Sequence, residues 1–406
     1  MKGWKVKPLT LFFLFLTILF LFIAPTILPM KLKEFEVVDS QTPERPEWTG
    51  VISLWDVPYV QTGKGNYIRW LSNYIHNFEK RFPGVFIDVR TMTAERLAMY
   101  LHGDDQGILP EIVSLGIYEQ QVPEDSLLDM LPFFQTSELI KLHAIAAERV
   151  MNNDKMIGVP WMMGSYGLIV NNAQIQNTNI VIDEVSLDYK TLDTLANAMS
   201  YEKKSGRKTI EYFGFCSYTT PNSKPILGMI YQDDGKILND PGYQLINNWN
   251  QSGNIFPQDL INLSYSKAFS LLAVEKRAGI MLGSSKVIFD IRKLQESGKG
   301  IDFSVYPIPM EGKSELYQDQ IAAFGILKDE SIEKTQLCVL FLKGLLDEKN
   351  QHGLVELGMF PVIQTNSLYE EDDAMKILEE SNKDISIGPF GNNKAIVNEF
   401  WTNYMK

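Results

Sequence analysis

The residues of this chain that could do chemistry fall into two sets, carboxylates in loops and aromatic residues in turns that follow apolar runs. A facing pair of carboxyl groups is the machinery of glycoside hydrolysis, and their separation in sequence is unconstrained. Asp56, directly after the run Val51 to Trp55, and Asp233 with Asp234 before Gly235 are the candidates. With 50 acidic residues in the chain, a solvated loop carboxylate is the commoner fate of any two. Asp233-Asp234-Gly235-Lys236 is not a calcium loop, because the later ligand positions do not follow. The aromatic set is Trp55 and Tyr59, then Trp161 and Tyr166. Ligands of open α/β sheets lie at the carboxyl ends of strands, where such turns face. Aromatic rings there stack on the apolar faces of sugars while Asp, Asn and Gln take the hydroxyls, and this suits a neutral polar ligand. Packing in the core is the alternative for each ring.

Other reaction classes find no support. There is no Walker loop, no GxGxxG behind a strand, no HExxH and no GxSxG, since Gly164-Ser165-Tyr166-Gly167 has the wrong spacing for a nucleophile elbow. His76, His102, His143 and His352 have no partner nearby in sequence and read as surface or satisfied residues. Cys216 and Cys338 form no CxxC pair and no zinc-like spacing to a histidine. Two buried free thiols are the simplest reading, with pairing left open. No cofactor is called for, and the chain is not expected to be an enzyme.

Composition narrows the partners. The 406 residues carry 38 Lys+Arg against 50 Asp+Glu, a formal net charge of −12, which disfavours a phosphate backbone as ligand. A hydrophobic content of 45% is ample for packed cores, and the length allows two or three of them at about 150 residues each.

The amino terminus reads as a membrane segment. Lys2, Lys5 and Lys7 precede a charge-free run from Leu9 to Met30. As a helix rising about 1.5 Å per residue, this run would cover roughly 33 Å, enough to span a bilayer and longer than the apolar core of a secretory signal. Only Ala24, followed by Pro25, offers a small residue for cleavage, so residues 1–33 are expected to remain as a single-pass anchor with the bulk extracytoplasmic, with atypical cleavage as the alternative. Residues 34–48, with Pro43, Pro46 and several charges, read as a tether.

Behind the tether, Val51 to Trp55 predicts a strand. Tyr67 to Phe82 predicts a helix buried through Ile68, Leu71, Ile75 and Phe78, and Val85 to Val89 a second strand after the Pro83-Gly84 stop. A helix at Glu95 to Leu101 and a strand at Glu111 to Leu115 extend this parallel-sheet rhythm. Further strands are expected at Met156 to Trp161, Gly167 to Asn172, Gly279 to Leu282 and Phe303 to Pro307. Helices are expected at Leu187 to Ser200, Lys267 to Lys276 and Lys334 to Leu346.

Several of these segments, in order, resemble the extracellular solute-binding proteins of ABC importers, in the group typified by maltose-binding and other sugar-binding proteins. Val51 to Asp56 resembles the family's first strand, and Ile75 to Val89 (IHNFEKRFPGVFIDV) its helix, Pro-Gly turn and second strand. Leu109 to Val113 is similar to its Pro-Asp-hydrophobic strand, with Glu111 replacing the usual Asp, and Leu127 to Phe133 to the segment that follows. Ile157 to Asn171 (IGVPWMMGSYGLIVN) resembles the crossing into the second lobe. Lys276 to Gly283 resembles the return strand, Tyr306 to Pro309 the strand after it, and Leu342 to Pro361 the late helix and turn. Two departures stand out. Ser284, Ser285 and Lys286 follow the return strand where sugar binders often place a Trp, and no cysteine near the apolar run could carry a lipid.

The resemblance implies an α/β, two-lobe periplasmic-binding-protein-like fold with the ligand cleft at the hinge. Residues 49–161 plus 284–324 would form lobe 1, and residues 162–283 plus 325–406 lobe 2. It implies a monomer that captures a carbohydrate and delivers it to an ABC permease, with Trp55, Asp56, Trp161, Tyr166 and Ser284 lining the cleft. A cell-surface glycoside hydrolase and a ligand sensor for a membrane signalling partner are the competing functions.

Overall fold

The computed structural model describes residues 47–102, 109–116, 122–152, 154–178, 180, 182, 187–220, 223–230, 241–257, 263–311, 319–329 and 331–382. The apolar run Leu9 to Met30, most of the tether and Asp233 with Asp234 lie outside these residues. Among the described residues no helix is long and apolar enough to cross a membrane.

The first strand, β1 (Gly50–Asp56), pairs in parallel with β2 (Val85–Thr91), Gly50 facing Val85 and Asp56 facing Thr91. Between them runs α1 (Tyr67–Arg81), whose start is fixed by Asn66, its side chain accepting from Arg69 N at 3.0 Å. The buried stripe of α1 is Trp70, Leu71, Tyr74, Ile75 and Phe78, one face of a 3.6-residue period. Ile68, expected in that stripe, is 60% exposed, and the aromatic rings of Trp70 and Tyr74 fill the core instead. Gly84, at φ +91°, takes the left-handed turn into β2. After α2 (Ala94–His102) comes β3 (Ile112–Leu115), parallel to β1 and buried along its whole length.

The chain then forms β4 (Val159–Met163), crosses at Gly164 and Ser165, and starts a second sheet with β5 (Tyr166–Asn171). Helix α3 (Tyr189–Ala198) is capped by Asp188. It leads into a hairpin of β6 (Tyr201–Ser205) and β7 (Lys208–Cys216). The strand β8 (Ala278–Ser284) pairs antiparallel with β5 and parallel with β7. It runs without a gap into α4 (Ser285–Glu296). The last strands are β9 (Phe303–Tyr306) and β10 (Ile321–Ile326), followed by the helices α5 (Ile332–Gly344) and α6 (Asp373–Glu380).

Two five-stranded mixed sheets result, ordered β2-β1-β3-β10-β4 and β9-β5-β8-β7-β6. This order corrects the expected partition. Because α4 continues directly from β8, residues 284–306 stay with the second sheet, and β9 pairs antiparallel with β5, Phe303 facing Asn171. The chain returns to the first sheet only at β10, which pairs with β3 and β4. Helix α5, expected in lobe 2, packs on the first sheet, with Phe341 against Tyr74 at 5.0 Å and Phe78 at 5.1 Å between ring centroids. Helix α6 packs on β9 and α4 of the second sheet.

Candidate ligand-binding site

Parallel strands β1 and β3 end side by side, and the side chains at their carboxyl ends build a small pocket of about 20 Å³. Asp56, the last residue of β1, is 1% exposed. Tyr67, the first residue of α1, donates its hydroxyl to Asp56 Oδ1 at 3.0 Å, and Ser114 of β3 donates to the same oxygen at 3.0 Å. Val57 N in turn donates to Ser114 Oγ at 3.0 Å. Asp56 Oδ2 is buried and has no hydrogen-bond partner among the described residues. Burial pushes the Asp56 carboxyl above its ordinary range, and the hydroxyls of Tyr67 and Ser114 pull in the other direction. The Tyr67 phenol is pushed well up by burial and by the carboxylate beside it.

The remaining walls are apolar and aromatic. Val57, Pro58, Leu115 and Met162 line the pocket together with the rings of Tyr59, Tyr67, Trp161 and Phe324. No Lys, Arg or His is among the described lining residues, and Asp56 is their one carboxyl group.

The five residues expected in the cleft separate into three places. Asp56 and Trp161 line the pocket. Trp161 lies in β4 at 2% exposure, within a column of stacked rings: Trp70 at 5.3 Å, Tyr67 at 5.8 Å and Phe324 at 5.8 Å between centroids. Trp55 is not a lining residue. Successive side chains of a strand point to opposite faces, so the face that presents Asp56 turns Trp55 away, onto Tyr100 of α2 at 5.2 Å. Tyr166 and Ser284 belong to the second sheet, opposite each other in the β5–β8 register. The Tyr166 hydroxyl donates to Asp319 and accepts from Gln320 Nε2 at 2.8 Å, with Ser223 Oγ 2.7 Å away. Ser284 Oγ accepts from the Tyr218 hydroxyl at 3.2 Å. This second group is a buried polar cluster beside the crossing between sheets, and burial together with Asp319 drives the Tyr166 phenol well up.

Sequence reasoning missed Tyr67, Ser114 and Phe324. Tyr67 carried a usable signal, since the first turn of a helix behind a parallel strand sits at the strand's carboxyl end. Ser114 depends on which strand lies beside β1 and Phe324 on which lies beside β3, and both are set by distant pairing.

Glycoside hydrolysis requires a second carboxyl group facing the first, and none lines the pocket among the described residues. No cluster of His, Cys, Asp or Glu that could hold a metal ion occurs among the described residues. Cys216 and Cys338 are buried free thiols, both pushed far up by burial.

No protein-family model matches the sequence, and no curated protein matches it. Solved structures do match. An ABC substrate-binding protein from Listeria monocytogenes in complex with cycloalternan gives a TM-score of 0.61 at 14% identity, over 88% of this chain and 92% of that one. The maltose/maltodextrin-binding domain MalE from Bdellovibrio bacteriovorus, bound to maltotriose, gives 0.57 at 15% identity, over 87% and 91%. The cyclic alpha-maltosyl-1,6-maltose binding protein from Arthrobacter globiformis gives 0.61 at 12% identity, over 88% and 92%. At these identities the likeness is one of fold, and the chain has the α/β periplasmic-binding-protein-like fold of these sugar-binding proteins.

Proposed function

We propose that this chain is an extracytoplasmic solute receptor that captures a carbohydrate by closing two lobes around it and delivers it to an ABC permease. The observation that carries the reading is the Asp56 carboxylate, one oxygen unpartnered among the described residues, set among aromatic walls at the carboxyl ends of β1 and β3. The fold supports it, because cycloalternan and maltotriose are bound in structures of the same fold, one of them an ABC substrate-binding protein. Lobe 1 is built on the first sheet and lobe 2 on the second, with the crossing at Gly164-Ser165 as a hinge segment. Within this reading Asp56 accepts ligand donors, Trp161 and Tyr67 form the apolar wall, and Tyr166 with Ser284 tie the hinge side of lobe 2. Trp55 supports the Asp56 strand from behind.

The run Leu9 to Met30 would hold the receptor at the membrane as an uncleaved single-pass anchor, with the protein acting as a monomer and without catalysis. The test is a thermal-shift screen of the purified full chain against mono- and oligosaccharides, polyamines and amino acids. Ligand at about a hundred times its dissociation constant stabilises by roughly 2.7 kcal/mol. A shift with one sugar series supports the receptor, and shifts confined to amino acids would remove the carbohydrate.

A further inference from the structure

We infer that the group this pocket selects is a protonated amine, so that the captured carbohydrate is an amino sugar whose ammonium lies against Asp56 Oδ2. The inference rests on the carbohydrate reading and narrows it.

The donor and acceptor inventory of the pocket argues for it. Ser114 Oγ accepts from Val57 N and donates to Asp56, and the Tyr67 hydroxyl also donates to Asp56. What remains without a partner among the described residues is Asp56 Oδ2, an acceptor when the carboxyl is ionised. A sugar hydroxyl entering the pocket both donates and accepts, and would ask the walls for a donor as well. No Asn, Gln, Arg, Lys or His lines the pocket among the described residues. An ammonium only donates, so it asks the walls for no donor, and Asp56 Oδ2 accepts one of its N–H groups.

Charge points the same way. A carboxylate buried without a cation is costly, and no lining residue supplies one. A ligand hydroxyl would give Oδ2 a hydrogen bond, whereas an ammonium gives it a charge-assisted bond and cancels the buried charge. Aromatic rings also favour a cation held near their faces, and Tyr59, Tyr67 and Phe324 stand in the wall. Burial raises the Asp56 carboxyl, and a bound ammonium would draw it back toward its ionised form. At about 20 Å³ the pocket has room for little more than one water-sized group, so it admits the ammonium itself and leaves the sugar ring outside.

The experiment is titration calorimetry of the purified full chain. The probes are glucosamine, galactosamine and mannosamine, their N-acetyl derivatives, the parent hexoses and spermidine. The expected result is binding of one amino sugar at least tenfold tighter than of its N-acetyl derivative and its parent hexose, with that preference lost in Asp56→Asn. Circular dichroism shows whether the variant keeps its fold. Equal binding of amino sugar and parent hexose overturns the ammonium and leaves the carbohydrate receptor standing. Binding of spermidine with no sugar bound overturns the carbohydrate and keeps an amine at Asp56. No amine bound by a folded chain, or a preference unchanged in folded Asp56→Asn, overturns the inference.

Discussion

The hydroxyl of Ser114 reaches across from β3 and donates to Asp56 Oδ1 at 3.0 Å, so that the carboxylate is held by a strand distant in sequence and adjacent in the sheet. The same oxygen of Ser114 accepts from Val57 N, and one hydroxyl therefore fixes both the carboxylate and the backbone leaving β1. Ser114→Ala leaves a buried N–H without its acceptor, a loss worth about 1–3 kcal/mol. Urea unfolding should show that loss, and the same variant should bind the ligand at least tenfold more weakly.

Asp56→Asn should separate stability from binding. The Asp56 carboxyl is raised in the folded state by burial, so the folded chain holds that proton more tightly than the unfolded chain does. Its unfavourable contribution is therefore full above the raised value and fades as the pH falls through it. Asn keeps an acceptor for Tyr67 and Ser114 and carries no charge. The variant should be more stable than the parent at neutral pH and fail to bind, and its advantage should shrink on acidification. Urea midpoints of both chains from neutral to acidic pH check this.

Trp161→Ala should act first on the fold. The ring is 2% exposed and stacks on Trp70 and Phe324, so truncation leaves a cavity within a column of aromatic rings. The expected cost is about 3–5 kcal/mol, and lost binding should accompany lost stability. Trp161→Phe keeps a ring in the column and should retain most of both. Unfolding curves beside affinities for the two variants test it.

Cys216 and Cys338 should not react in the native state. Both are buried free thiols pushed far above their ordinary range by burial, and the thiolate is the reactive form. A chromogenic disulfide reagent should count no thiols in the folded chain and two in denaturant. One or two fast-reacting native thiols would contradict this.

Much of the first sheet was legible because its signals are local. The apolar run of β1, the helix ended by Pro83-Gly84 and the alternation of β2 each lie within a few residues. The hairpin of β6 and β7 went unread because every residue of β6 is exposed, and a strand without a buried face leaves no period-2 apolar pattern. The lobe boundaries failed at β9 and β10, whose sheets are decided by antiparallel pairing with strands more than a hundred residues away. At the site, Asp56 was legible from its place behind an apolar run. Its neighbour Trp55 points to the opposite face of β1 and packs on Tyr100, as strand alternation favours. Ser114 could not have been found without knowing that β3 lies beside β1.

Titration calorimetry of the full chain with the sugar that stabilises it most, followed by chromatography of the recovered sugar, tests the receptor most directly. The account predicts one saturable site near micromolar, about −8 kcal/mol, with the sugar recovered intact and binding lost in Asp56→Asn. Shortened sugar in the recovered fraction, or binding undiminished in a folded Asp56→Asn chain, would contradict it.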